Sequence, residues 1–151
     1  MLFYHLTARP LERVLPDLLT RTLARGWRAV LRAGEAGRIP ALDSLLWTFD
    51  EASFLAHGTP ATPMPEAQPI YLTAGREVPN GADVLFLVEG ARVAAEEIPA
   101  FTRTVLLFDG RDPEATEAAR ADWRSVAAAE GAQAVYWAEE DGRWIKRAES
   151  G

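Results

Sequence analysis

Arg120, Trp123 and Arg124 fall within two helical turns of one another, and their types suit the capture of an anionic, ring-bearing group. At about 100° per residue, Ala115, Ala119, Asp122 and Val126 point one way, and all but Asp122 suit a core. Trp123 sits on the shoulder of that face, Arg120 lies one turn before it, and Arg124 stands further out on the same flank. A large ring beside two guanidinium groups makes an apolar floor with a cationic rim. That combination fits a peptide ending in an aromatic residue, because arginine grips carboxylates through two parallel N–H bonds. The same residues also fit a tryptophan closing the core, with the arginines solvated or paired to Glu117 and Asp122.

A second cluster joins Trp47 to Phe54, Leu55 and His57. Aromatic residues at a helix end and in the following loop are typical anchors for a partner protein. They serve equally well to fold that loop back onto the body of the domain.

Catalytic chemistry finds little support. His5 and His57 are the two histidines, and neither has further ligands at zinc spacing. His5 reads as a structural imidazole in a strand. The turn from Gly34 to Gly37 has neither phosphate-loop nor dinucleotide-binding spacing. Ser44 and Ser53 lack the elbow that exposes a nucleophile. The pairs Glu96-Glu97 and Glu139-Glu140 are explained by a solvated face and a hairpin tip. The sequence therefore predicts a protein that is not an enzyme, with no metal and no cofactor.

The elements that must position these residues alternate. A strand over 2–6, a helix from Leu11 to Gly26, a strand over 27–31 and a helix over 35–47 read as a βαβ unit. Pro16 predicts a late start or a kink in the first helix. Residues 50–68 hold Pro60, Pro63 and Pro65 and read as a long proline-rich loop. Strands over 70–73, 84–88 and 104–108 follow, with a short helical stretch over 96–101 before the last of them. Asp112 and Pro113 then punctuate a helix that Gly131 can end. Segments 134–138 and 143–146 flank Glu140-Asp141-Gly142 as an antiparallel hairpin. The fold expected is a single three-layer α/β/α domain over 1–151, its mixed and mostly parallel sheet carrying an antiparallel C-terminal hairpin.

Composition narrows the partners. The 151 residues carry 16 Lys and Arg against 22 Asp and Glu, a net charge of −6, and no cysteine. The acidic balance argues against tight nucleic-acid binding, whose affinity comes from basic residues. The absence of cysteine removes disulfides and thiolate metal sites. The apolar runs are strand-sized, well short of the roughly 20 residues of a membrane span. With no secretion signal at its start, the chain is expected to be cytoplasmic, with no membrane partner. Two other readings stand beside the peptide-binding one: a small flavodoxin-like domain for a nucleotide or cofactor, and direct single-strand binding through tryptophans and arginines, which a small and local basic cluster suits less well than a peptide does.

Several stretches resemble one family, the chi subunit of bacterial DNA polymerase III holoenzyme. The opening Phe3-Tyr4-His5-Leu6 and the strand Trp27-Arg28-Ala29-Val30-Leu31-Arg32 are similar to it. The run from Leu42 through Trp47 and Phe54 to His57 keeps its L-D-x-x-L-W-x(6)-F-x-x-H arrangement. Pro79 to Val88 and the helix with Arg120, Trp123 and Arg124 continue the likeness. The resemblance implies a non-catalytic adaptor associated with the clamp loader. It implies that Arg120, Trp123 and Arg124, with Phe108 as a wall, receive the acidic C-terminal tail of single-stranded-DNA-binding protein. It also implies that Trp47 and Phe54, with Leu55 and His57 beside them, meet the psi subunit or a helicase partner. Thr116 departs from the family, where a basic residue can stand one turn before Arg120.

Overall fold

The computed structural model describes residues 1–7, 10–48, 57–128, 133–140 and 143–149. Among these residues, eight strands form one sheet: β1 (Leu2–Leu6), β2 (Ala29–Ala33), β3 (His57–Gly58), β4 (Ile70–Thr73), β5 (Val84–Val88), β6 (Arg103–Asp109), β7 (Val135–Glu140) and β8 (Arg143–Glu149). Their order is β3-β4-β2-β5-β6-β1-β7-β8. Every neighbouring pair is parallel except β7 with β8. Among the described residues, three α-helices accompany the sheet: α1 (Leu11–Ala24), α2 (Ile39–Thr48) and α3 (Pro113–Ala128).

Continuous apolar runs explain the centre. Every residue of β2, β4 and β5 is buried, as strands covered on both faces require. Val14, Leu15 and Leu19 of α1 and Leu42 and Leu46 of α2 pack with Leu31, Leu72, Phe86 and Val105 on one face. Ala119 and Val126 of α3 pack with Phe3, Leu85, Leu87, Leu106 and Phe108 on the other. Helices thus cover both sides of a mixed sheet, giving the three-layer α/β fold expected.

Several local expectations change. Helix α1 starts at Leu11 and runs through Pro16, so there is no late start. The carbonyl that Pro16 leaves unbonded belongs to Glu12, which is exposed and open to water. Gly26 adopts φ +79° just past its end, a conformation in which an L side chain is strained. Strand β2 begins at Ala29, two residues later than its apolar run suggests. Within the proline-rich segment, His57–Gly58 joins the sheet edge beside β4, and Pro65–Ala67 makes a 3₁₀ turn. The stretch Ala95–Ala100 is also 3₁₀, with Pro99 denying it a full helical ladder. Gly131, Asp141 and Gly142, on which a helix stop and a hairpin turn were expected, lie outside the described residues.

The pair Glu96-Glu97 is not simply a solvated face. Glu97 turns inward to Arg32, a buried residue of β2, with contacts of 3.1 and 3.4 Å. It also accepts the Ala94 backbone N–H at 2.8 Å. Burial opposes ionisation of this carboxyl, but the Ala94 N–H and the Arg32 guanidinium prevail and hold it below its ordinary range.

Candidate functional site

Period-2 alternation brings an aromatic group to the α3 side of the sheet. Phe3 and His5 of β1 share a face, and parallel pairing sets His5 opposite Phe108 and Phe3 opposite Tyr136. Helix α3 lays Trp123 over them. The Trp123 ring meets Phe3 edge-on at 5.5 Å and Tyr136 at 6.0 Å. Phe108 meets His5 at 5.0 Å and Tyr136 at 6.1 Å. Trp123 and Phe108 therefore belong to one aromatic bed, with Tyr136 between them. Edge-to-face contacts of this kind add to the stabilisation from area burial alone.

Tyr136 and Gly110 complete the bed together with Phe3 and with His5, read from the sequence as a structural imidazole, and none of the four was assigned to this site from the sequence. The signal was present in the alternation of Phe3 and His5, but Tyr136 reaches the site only through the pairing of β7 with β1. The β7–β8 register shifts between Tyr136 and Trp137, leaving Arg147 as an extra residue on β8 beside this step.

His5 is held at both ring nitrogens. Nδ1 lies 2.6 Å from the Tyr136 hydroxyl. Nε2 abuts Gly110, where a Cβ would come within 1.8 Å of it. Only glycine leaves room for the ring. Burial lowers the His5 pKa, the hydrogen bond to the Gly110 backbone opposes that, and the Arg120 charge lowers it further. Burial also raises the Tyr136 pKa, against the pull of Arg120. Arg120 thus bears electrostatically on both groups of the bed.

The two arginines differ. Arg124 faces Glu117 at 3.7 Å, with both side chains about two-thirds exposed, so water screens that pair. Asp122 is taken by Arg92 at 2.6 Å. Arg120 is exposed and has no ion pair among the described residues. Thr116, one turn before it, donates its hydroxyl to the Gly110 carbonyl at 3.4 Å and closes the corner between β6 and α3.

The second cluster sits at the β3 edge. Trp47, at the end of α2, is 52% exposed, and its ring lies 4.8 Å from that of His57. His57 is buried, with Nε2 at 2.7 Å from Asp43. Phe54 and Leu55 lie outside the described residues.

Adjacent strands β1 and β6 send α1 and α3 over opposite faces, which opens a crevice at their carboxyl ends. A cavity of about 570 Å³ occupies it. Among the described residues, six carboxylates line that cavity (Glu12, Glu89, Asp109, Asp112, Glu114 and Asp122), against three arginines. Asp112 accepts the Glu114 N–H at 3.0 Å and so occupies a donor at the start of α3. Such a lining repels phosphate, and the flavodoxin-like nucleotide reading gains nothing from it. No group of three or more metal-ligating side chains occurs among the described residues. Among them, no helix is long and apolar enough to cross a membrane.

Residues 1–134 match the family described as DNA polymerase III chi subunit, HolC. A protein of Rickettsia prowazekii (strain Madrid E), named probable DNA polymerase III subunit chi, is 26% identical over 111 residues, covering 70% of this chain and 67% of that protein. The family match spans most of the sequence, and the chain belongs to the chi family.

Proposed function

We propose that this member of the DNA polymerase III chi family is a non-catalytic adaptor whose α3 site captures the acidic C-terminal tail of single-stranded-DNA-binding protein. Family membership supports an accessory role in replication. The finer reading, a link between that tail and the clamp-loader assembly, rests on the site. Its carrying observation is Arg120: an exposed guanidinium with no ion pair among the described residues, acting on His5 and Tyr136 of an aromatic bed.

A tail ending in Pro-Phe brings one ring and several negative charges. The ring adds apolar burial against Trp123, Tyr136 and Phe108. The terminal carboxylate takes the Arg120 fork, and acidic residues upstream meet Arg124 once it exchanges Glu117 for the ligand. After ordering costs, an affinity on the order of micromolar follows, suited to repeated capture and release. The Trp47 surface, with Phe54, Leu55 and His57, is the proposed contact for psi or another replisome or helicase protein.

The test is calorimetric titration of an acidic peptide ending in Pro-Phe carboxylate at low salt. Arg120→Glu is expected to weaken binding more than tenfold, and amidation of the peptide's C-terminus to do the same. Unchanged affinity in Arg120→Glu overturns the assignment.

A further inference from the structure

A basic-aromatic pocket lies on the opposite face of the sheet from the tail site, toward the amino ends of β2 and β6. It has a volume of about 210 Å³, and Arg21, Arg25 and Arg103 surround it together with Tyr4, Trp27 and Phe86. Among the described residues, no carboxylate lines it. In a chain of net charge −6, three guanidinium groups around one small pocket are a local reversal of the overall field.

The arginines are held in place. Arg25 and Arg103 lie over the Trp27 ring at 5.1 and 5.3 Å from its centroid. A guanidinium stacked on an aromatic face keeps its in-plane N–H donors available to a ligand. Neither Arg25 nor Arg103 has an ion pair among the described residues. Arg21 pairs with Asp17 at 3.3 Å, but both side chains are more than half exposed, so a bound anion competes readily. Burial raises the Tyr4 pKa while Arg103 and Arg21 pull it down, which places the neutral phenol within the field of both cations.

We propose that this pocket binds a phosphodiester unit of single-stranded DNA. One carboxylate is satisfied by one guanidinium fork. Three forks around one pocket match a group whose charge is spread over several acceptor oxygens. Tyr4, Phe86 and the stems of the arginines supply an apolar wall for the attached sugar and base. With so few phosphates neutralised, binding is weak and salt-sensitive, which agrees with an acidic protein that does not hold DNA tightly. Tyr4 and Phe3 are successive residues of β1 and face opposite sides of the sheet, so occupation of this pocket leaves the α3 site open.

The experiment measures fluorescence anisotropy of a labelled oligothymidylate with the full chain and no other protein, across a salt series. Binding in the high-micromolar range is expected, with log affinity falling against log salt at a slope of about −0.7, as for one phosphate of a single strand. Arg25→Glu/Arg103→Glu is expected to weaken it at least tenfold, and Arg25→Gln/Arg103→Gln to weaken it while keeping the side-chain stems. Arg120→Glu is expected to leave it unchanged, and an unaltered thermal melt in the Gln variant shows that the fold is retained. The proposal is overturned by no binding at low salt, by equal binding in the Arg25/Arg103 variants, or by displacement by an acidic Phe-terminated peptide at the concentration that fills the α3 site. Equal competition by inorganic phosphate, mole for mole of phosphate, also overturns it, because the pocket is then a simple anion site.

Discussion

The Nδ1 of His5 lies 2.6 Å from the hydroxyl of Tyr136, across the parallel pairing of β1 with β7. The Gly110 backbone beside Nε2 favours the charged ring. When the neutral ring accepts at Nδ1, the Tyr136 hydroxyl donates to it. Protonation of His5 makes Nδ1 a donor and frees the tyrosine proton for another acceptor.

A pH dependence of tail binding follows. Burial and the Arg120 charge keep His5 below its ordinary value of 6.5, so near neutral pH the imidazole is uncharged. An acidic peptide beside it favours the imidazolium and raises that pKa again. Affinity is expected to rise several-fold as pH falls from about 7.5 toward 5.5, while carboxylates with pKa near 4 remain ionised. Stability moves the other way: the lowered folded-state pKa stabilises the fold above 6.5 and loses that contribution as pH falls through the folded value. Titration of the peptide into wild type and His5→Gln at several pH values checks this. A slope that persists in His5→Gln excludes the imidazole as its source.

Gly110→Ala tests the packing beneath the same ring. The new methyl would overlap His5 Nε2 and approach the Leu6 carbonyl to 2.9 Å. Overpacking of this kind costs about 1–3 kcal/mol, read as a lower urea midpoint. Peptide affinity should fall with it, because a displaced His5 releases Tyr136 from its place under Trp123. The double variant His5→Ala/Gly110→Ala is expected to recover most of the lost stability. If it does not, the Leu6 carbonyl rather than the imidazole is the obstacle.

The parallel sheet was legible because β4 and β5 are short apolar runs between turn residues, and α3 because Asp112-Pro113 marks its start. Arg120, Trp123 and Arg124 could be grouped from helical spacing alone. Tyr136 could not, since nothing local says that β7 pairs with β1 rather than extending a hairpin elsewhere. Arg32 and Glu97 were opaque for the same reason: 65 residues separate them. A charge in the middle of β2 reads as a break in an apolar pattern until its partner is found. The pocket around Trp27 draws on α1, β1 and β6 together, and only the tertiary fold assembles it.

The Arg32–Glu97 pair gives a stability prediction with a definite sign. Removing one member leaves a buried charge without its partner, so Arg32→Ala or Glu97→Ala is expected to destabilise by about 3–5 kcal/mol. The double variant Arg32→Met/Glu97→Leu should cost less than either, because no charge is stranded. Glu97 titrates below its ordinary 4.5, so the stabilisation it confers is present above that pH and is lost as pH falls through the folded value. Acid unfolding followed by circular dichroism should therefore be shallower below pH 4.5 in Glu97→Gln than in wild type.

Trp47 separates stability from partner binding at the β3 edge. Its indole is 52% exposed and meets the His57 ring in a tilted contact at 4.8 Å, so truncation removes little buried area. Trp47→Ala is expected to cost at most about 1 kcal/mol, a shift of roughly 2–4 °C in Tm for a chain of this size. Asp43→Ala is the contrasting change. It takes the 2.7 Å partner from the buried His57 Nε2 and should cost about 1–3 kcal/mol. If Trp47 anchors a second protein, Trp47→Ala abolishes capture of that protein from lysate while single-stranded-DNA-binding protein is still retained through the α3 site. A Tm loss in Trp47→Ala as large as that in Asp43→Ala, with both partners still captured, would assign the indole to holding the sheet edge together.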